Sequence, residues 1–151
     1  PAAFTKTQLA IDYEPPRGGE VFISVNDGDK RNITAIARSV ARLGFSLVAT
    51  TGTARALRAS GIECEEVGKI HAGSHTILDR IASGEIVLMI NTPFGSSTNT
   101  DGYEMRAACV RHGVSYCTTL AGAQALIAGM EAVRETGLDV IALQDLPQWE
   151  G

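Results

Sequence analysis

The sequence lacks most of the features that mark secreted, membrane or duplex-binding proteins. Its 151 residues contain three cysteines, Cys64, Cys109 and Cys117, without a C-x-x-C pair, so neither a disulfide framework nor a zinc site is suggested. Five prolines, 44% hydrophobic residues and 20% charged residues exclude a disordered, collagen-like or low-complexity chain. No apolar run approaches the ~20 residues needed to span a bilayer, and PAAFTKTQLA at the N-terminus has no signal-peptide core. A soluble, cytoplasmic protein is the default expectation. Excess positive charge is missing too. A net charge of −4 argues against a surface that holds duplex nucleic acid, so any bound anion should be small and locally held. Neither nucleic acid nor membrane is expected as a partner.

What the chain does have is glycine used as punctuation. In five places a helical stretch ends in Gly and a strand-like apolar run follows: Gly44, Gly61, Gly84, Gly113 and Gly137. Glycine suits the left-handed position just past a helix C-terminus, so each junction reads as helix, turn, strand. Ile33, Ile36, Ala37, Val40 and Ala41 form one apolar stripe at helical spacing. The runs IVLMIN (86–91) and VIALQ (140–144) are apolar on both faces, as in a parallel sheet covered by helices on both sides. The pattern predicts an α/β fold, three-layered and doubly wound, with a mainly parallel sheet of five to six strands. Strands are expected near 21–26, 46–50, 63–67, 86–91, 114–117 and 140–144. Helices are expected near 30–43, 53–60, 76–83, 100–112 and 119–136.

Ligands of such sheets bind beyond the carboxyl ends of the strands, near the point where strand order reverses. The loops there are NDGDKR, TTGTAR, GKIHAGSH, NTPFGSSTNTDG and TTLAGA. VATTGTARAL offers free helix N–H groups with the hydroxyls of Thr50 and Thr53, a phosphate cradle, although a plain threonine N-cap would explain T-G-T equally well. Lys30 and Arg31 are placed in the first turn of a helix, where the macrodipole disfavours cations and a bound anion would relieve the conflict. Lys69 follows the third strand and is in reach of the same crevice; solvated surface lysines are the competing explanation. Two lysines and two threonines at one sheet edge together favour a phosphate site. Asn91 and Thr92 close the fourth strand and either meet a sugar or base edge or cap the next loop.

Catalytic chemistry is thinly supplied. Asp27 and Asp29 read as turn formers, and Asp79, Arg80 and Asp101 read as structural. His71 and His75 flank a glycine loop without a third ligand at metal spacing, so no metal is assigned. No organic cofactor is expected either.

SVNDGDKRNI, VATTGTA, the lysine of VGKIHAG, DRIASGEIVLMINTPFG and SYCTTLAGAQA together resemble the C-terminal allosteric domain of the carbamoyl phosphate synthetase large subunit. The resemblance covers nearly the whole chain and implies a methylglyoxal-synthase-like fold. It implies domain bounds of 1–19 for a tail from an upstream synthetase domain, 20–146 for the effector-binding domain and 147–151 for a C-terminal tail. The implied function is to bind the effectors UMP, IMP and ornithine and so control carbamoyl phosphate synthesis for pyrimidine and arginine biosynthesis. The partners implied are these small molecules and the remaining synthetase domains; self-association is left open. By matching positions, Lys30, Thr50, Thr53 and Lys69 would hold phosphate, with Ser24, Gly52, Asn91 and Thr92 completing the nucleotide site.

Two positions depart from that family's pattern. Gly95 is followed by Ser96 and Ser97 instead of arginines, which removes planar cations that could assist anion binding. The ornithine motif Y-D-T reads Tyr116, Cys117, Thr118, leaving Tyr116 and Thr118 as the ornithine-binding candidates without the middle carboxylate. The rival on the same fold is methylglyoxal synthase, whose catalytic carboxylates and histidine would correspond to Ser74, Thr92 and Asn99 here. No catalytic residue is therefore assigned, and the domain alone is expected not to be an enzyme.

Overall fold

The computed structural model describes residue 16 and residues 18–68, 76–93 and 100–136. Lys69, the histidine loop, Ser96, Ser97, the predicted strand at 140–144 and most of both tails lie outside the described residues.

Five strands form one parallel sheet: β1 (Glu20–Ser24), β2 (Ser46–Thr50), β3 (Glu65–Val67), β4 (Ile86–Asn91) and β5 (Ser115–Cys117), in the order β3-β2-β1-β4-β5. The helices are α1 (Ile33–Arg42), α2 (Thr51–Ala59), α3 (Ile77–Ala82), α4 (Thr100–His112) and α5 (Leu120–Thr136). Strand order reverses between β1 and β4, so the switch point lies where Ser24 and Asn91 end their strands in register.

Strand alternation sorts the core into two layers. Val21, Ile23, Leu47, Ala49, Leu88 and Ile90 face α1, α2 and α5, packing on Ile33, Leu57, Ile127 and Met130 among others. Phe22, Val48 and Met89 point the other way, onto Ile77 and Ile81 of α3 and Met105 and Cys109 of α4. The three-layer expectation holds. Gly44, Gly61, Gly84 and Gly113 have φ of 81°, 73°, 80° and 68°, the left-handed value that lets the chain leave a helix and turn towards the next strand, which starts two residues on except after Gly61, where Glu65 begins β3. Ala41, placed on the apolar stripe of α1, is exposed; the buried stripe is Ile33, Ile36, Ala37 and Val40.

Element ends differ from expectation for identifiable reasons. β1 stops at Ser24 because Val25 N donates to Thr53 Oγ1 (3.2 Å) and Asn26 N to Thr92 Oγ1 (3.1 Å), outside the sheet ladder. β3 starts at Glu65 and not near 63; the Cys64 carbonyl just before it accepts from Arg58 Nη2 at 2.9 Å. Lys30 and Arg31 are not in the first turn of α1. Asn26 caps a short 3-10 turn over Asp27–Asp29, accepting from Asp29 N, and α1 begins only at Ile33.

Asp79 forms a reciprocal capping box with Thr76 at the start of α3. Arg80, on the same helix, reaches Glu20 at 3.1 Å and Glu65, with Glu85 at 3.9 Å, tying α3 to β1 and β3. Both residues are structural, as their types suggested.

Burial pushes the Cys109 thiol up to about 11 from an ordinary 9.0, and also raises Cys64 and Cys117. Only the thiolate attacks alkylating agents. Iodoacetamide at pH 8 is therefore expected to spare Cys109 in the folded protein and to label it after unfolding, as read by mass spectrometry. Because its folded-state pKa is the higher one, this thiol favours folding below about pH 9 and loses that contribution as pH rises through 11. Native-state labelling at the unfolded rate would contradict the buried placement.

Candidate functional site

A crevice of about 300 Å³ opens at the carboxyl ends of β1 and β2. Ser24, Lys30, Thr50, Gly52, Thr53 and Asp101 supply its polar lining, and Phe22, Val67, Ile77 and Met105 its apolar walls. A mix of apolar walls and a few converging polar groups is what small-ligand sites present. A broader, open depression of about 960 Å³ beside β2 and β3 is lined by Phe45, Arg58, Ile62 and Glu65, without any such convergence.

The polar side is built from three hydroxyls. Ser24 and Thr50 end adjacent strands on the α3–α4 side of the sheet, and Thr53 sits in the first turn of α2. Thr50 Oγ1 lies 3.3 Å from both Ser24 Oγ and Thr53 Oγ1. Thr53, only 1% exposed, accepts from Val25 N, which leaves its own proton to donate. Thr50 occupies the N-cap position of α2 but makes no capping hydrogen bond. The plain N-cap explanation of T-G-T therefore does not describe this helix start, and its first N–H groups remain available.

Lys30 completes the arrangement from an unexpected direction. Its chain folds back from the 3-10 turn and places Nζ where it would lie 3.0 Å from a Cβ on Gly52. Gly52 thus makes room for a lysine; its backbone conformation demands no glycine. The ammonium also pairs with Asp27, whose side chain is 82% exposed, so this pair is weak in water. A cation held at a helix N-terminus opposes the macrodipole; Asp27 offsets this through an exposed pair, and an anion between lysine and helix would add to it.

The remaining predicted residues divide. Thr92 is 3% exposed and its hydroxyl accepts from Asn26 N and Asn26 Nδ2, both at 3.1 Å, so it fastens the β1 loop to the end of β4. Asn91 is 6% exposed beside Ser24, and its Nδ2 has no hydrogen-bond partner among the described residues. Tyr116 and Thr118 lie exposed on and just after edge strand β5, away from the crevice lining. Lys69, Ser74 and Asn99 fall outside the described residues. Asp101, read above as structural, lines the crevice together with Met105, four residues on and on the same face of α4. Among the described residues no group of three His, Cys, Asp or Glu side chains is placed to hold a metal. No described helix is long and apolar enough to cross a membrane.

The family profile described as the MGS-like domain matches residues 32–118, a span that includes Thr50 and Thr53 but begins after Ser24 and Lys30. The chain belongs to the MGS-like domain family. This MGS-like domain is 49% identical over 146 residues to the carbamoyl phosphate synthase large chain, C-terminal section, of Methanopyrus kandleri, covering 96% of this chain and 27% of that one. It is 42% identical over 144 residues to the carbamoyl phosphate synthase large chain of Myxococcus xanthus, covering 95% of this chain and 13% of that one. The domain thus spans only a minor part of these relatives. Its fold is also that of a methylglyoxal synthase from Elizabethkingia anophelis, with a TM-score of 0.59 at 17% identity over 75% of this chain and 79% of that one.

Proposed function

We propose that this MGS-like domain is the effector-binding part of a carbamoyl phosphate synthase large chain and binds a nucleoside monophosphate such as UMP or IMP. One observation carries the reading: the Lys30 ammonium is held over Gly52 at the start of α2, beside the hydroxyls of Ser24, Thr50 and Thr53. Those groups offer positive charge and donors to a phosphate, which would replace the exposed Asp27 pairing and the contacts among the hydroxyls. Lys69 would add a second cation. The relatives' identity as carbamoyl phosphate synthase large chains supports the assignment to that enzyme, with the remaining synthetase domains as partners. Tyr116 and Thr118, exposed on and just after β5, are the residues proposed for ornithine, at a place separate from the crevice lining.

Isothermal calorimetry with UMP, IMP and orthophosphate tests the reading; heats absent for all three would refute it. Given dihydroxyacetone phosphate, the chain should bind yet form no methylglyoxal above the uncatalysed rate. The elimination needs a base beside the substrate carbonyl, and a positioned carboxylate contributes on the order of 10²–10⁴-fold. Asp101 is the carboxylate lining the described crevice. Turnover that disappears in Asp101→Asn would make the domain an enzyme.

A further inference from the structure

Among the described residues, two donors at the β4 side of the crevice have no acceptor. Asn91 Nδ2 is buried and without a hydrogen-bond partner there, a costly state for an amide unless something satisfies it. Arg106, half-buried on α4, makes no hydrogen bond or ion pair with any described residue. Both face one small space: a Cβ on Gly102 would lie 3.2 Å from Arg106 Nη1 and 3.6 Å from Asn91 Nδ2.

That space belongs to the crevice side of the sheet. Asn91 pairs in register with Ser24, and Asp101 and Met105 on either side of Gly102 line the crevice. Thr50 and Asn91 end β2 and β4, two strands apart, a separation of about 10 Å at the usual strand spacing. A ligand whose phosphate sits at Thr50 and Lys30 would therefore bring its far end to Asn91 and Arg106, with Met105 and Ile77 against its flat faces.

We propose that Asn91 and Arg106 form a second recognition point of this crevice, which takes an acceptor oxygen on the base of a phosphorylated nucleoside. The proposal rests on the phosphate reading above and adds what distinguishes one phosphorylated compound from another. Keto oxygens of uracil and hypoxanthine are acceptors of this kind; a sugar phosphate carries none at that distance. A guanidinium and an amide N–H converging on one oxygen give a charge-assisted pair, the stronger class of hydrogen bond.

The test compares UMP with ribose 5-phosphate by calorimetry on the 151-residue chain, in wild type, Arg106→Ala and Gly102→Ala. Arg106→Ala should weaken UMP binding about tenfold or more, the scale of a lost hydrogen bond to a charged group, and leave ribose 5-phosphate within about twofold. Gly102→Ala should weaken UMP selectively too, since its methyl group fills the space. Alanine is also the better helix former, so the thermal midpoint should hold or rise and loss of binding would not reflect unfolding. Unchanged UMP affinity in both variants, or a parallel loss for both ligands, overturns the proposal. If wild type binds ribose 5-phosphate as tightly as UMP, the phosphate reading stands and this recognition point falls. If it binds neither, both fall.

Discussion

Lys30→Ala is expected to weaken binding of a nucleoside monophosphate by ~1.5–3 kcal/mol, the range for a hydrogen bond to a charged group, which is roughly a ten- to hundredfold rise in Kd. The lysine is the clean probe because the fold barely depends on it. Its pairing with Asp27 is a surface ion pair, and such pairs contribute about 0–1 kcal/mol. Thr53 is the wrong probe: its hydroxyl satisfies the buried Val25 N–H, so Thr53→Val would leave that donor unpaired and mix a folding defect into the result. The effect of Lys30→Ala should shrink as salt is raised, since the lysine side chain is 28% exposed and its charge partly screened. Calorimetry at two ionic strengths reads both outcomes. Wild-type affinity in the variant, with its fold intact, would remove Lys30 from the site and with it the main support for an anion there.

The architecture was legible because its punctuation is local. A helix that ends in glycine before a β-rich run needs no tertiary context to be read, and Gly44, Gly61, Gly84 and Gly113 all adopt the predicted left-handed conformation. The hydroxyl side of the crevice was legible in part for a related reason: Thr50 and Thr53 flank a strand-to-helix junction and had to gather, whereas Ser24 was implied only by the family resemblance. What escaped the sequence depends on side chains reaching between elements. Lys30 looked like a helix residue because Ile33 continues its spacing, yet the Asn26 cap turns the chain first and swings the ammonium over a different helix. Asp101 looked like an ordinary acidic residue in a helix's first turn, and only the placement of α4 against β4 makes it part of a crevice wall. Asn91 could have been a loop cap; its unpaired amide is visible only once its neighbours are placed.

Phe22→Ala is expected to cost ~3–5 kcal/mol of folding stability, the range for truncating a buried aromatic ring. Phe22 is 1% exposed in the central strand, packed in the layer that holds Ile77, Ile81 and Met105. The backbone cannot close over the space, because β2 and β4 flank β1 on both sides; Met89 and Met105 are the flexible side chains of that layer and refill it only in part. A domain of ordinary stability has about 5–15 kcal/mol in total, so the variant should be marginal at room temperature. Phe22→Leu keeps most of the volume and should cost clearly less, with a urea midpoint between those of Phe22→Ala and wild type. The ring also forms part of the crevice wall, at the middle of the same strand that ends in Ser24. In Phe22→Leu, therefore, ligand affinity should fall further than the loss of one donor-free contact would suggest, since a displaced β1 carries the Ser24 hydroxyl with it. Urea midpoints for Phe22→Ala and wild type that coincide would show that the ring is not packed between the sheet and helices α3 and α4, and would take the floor out of the proposed site.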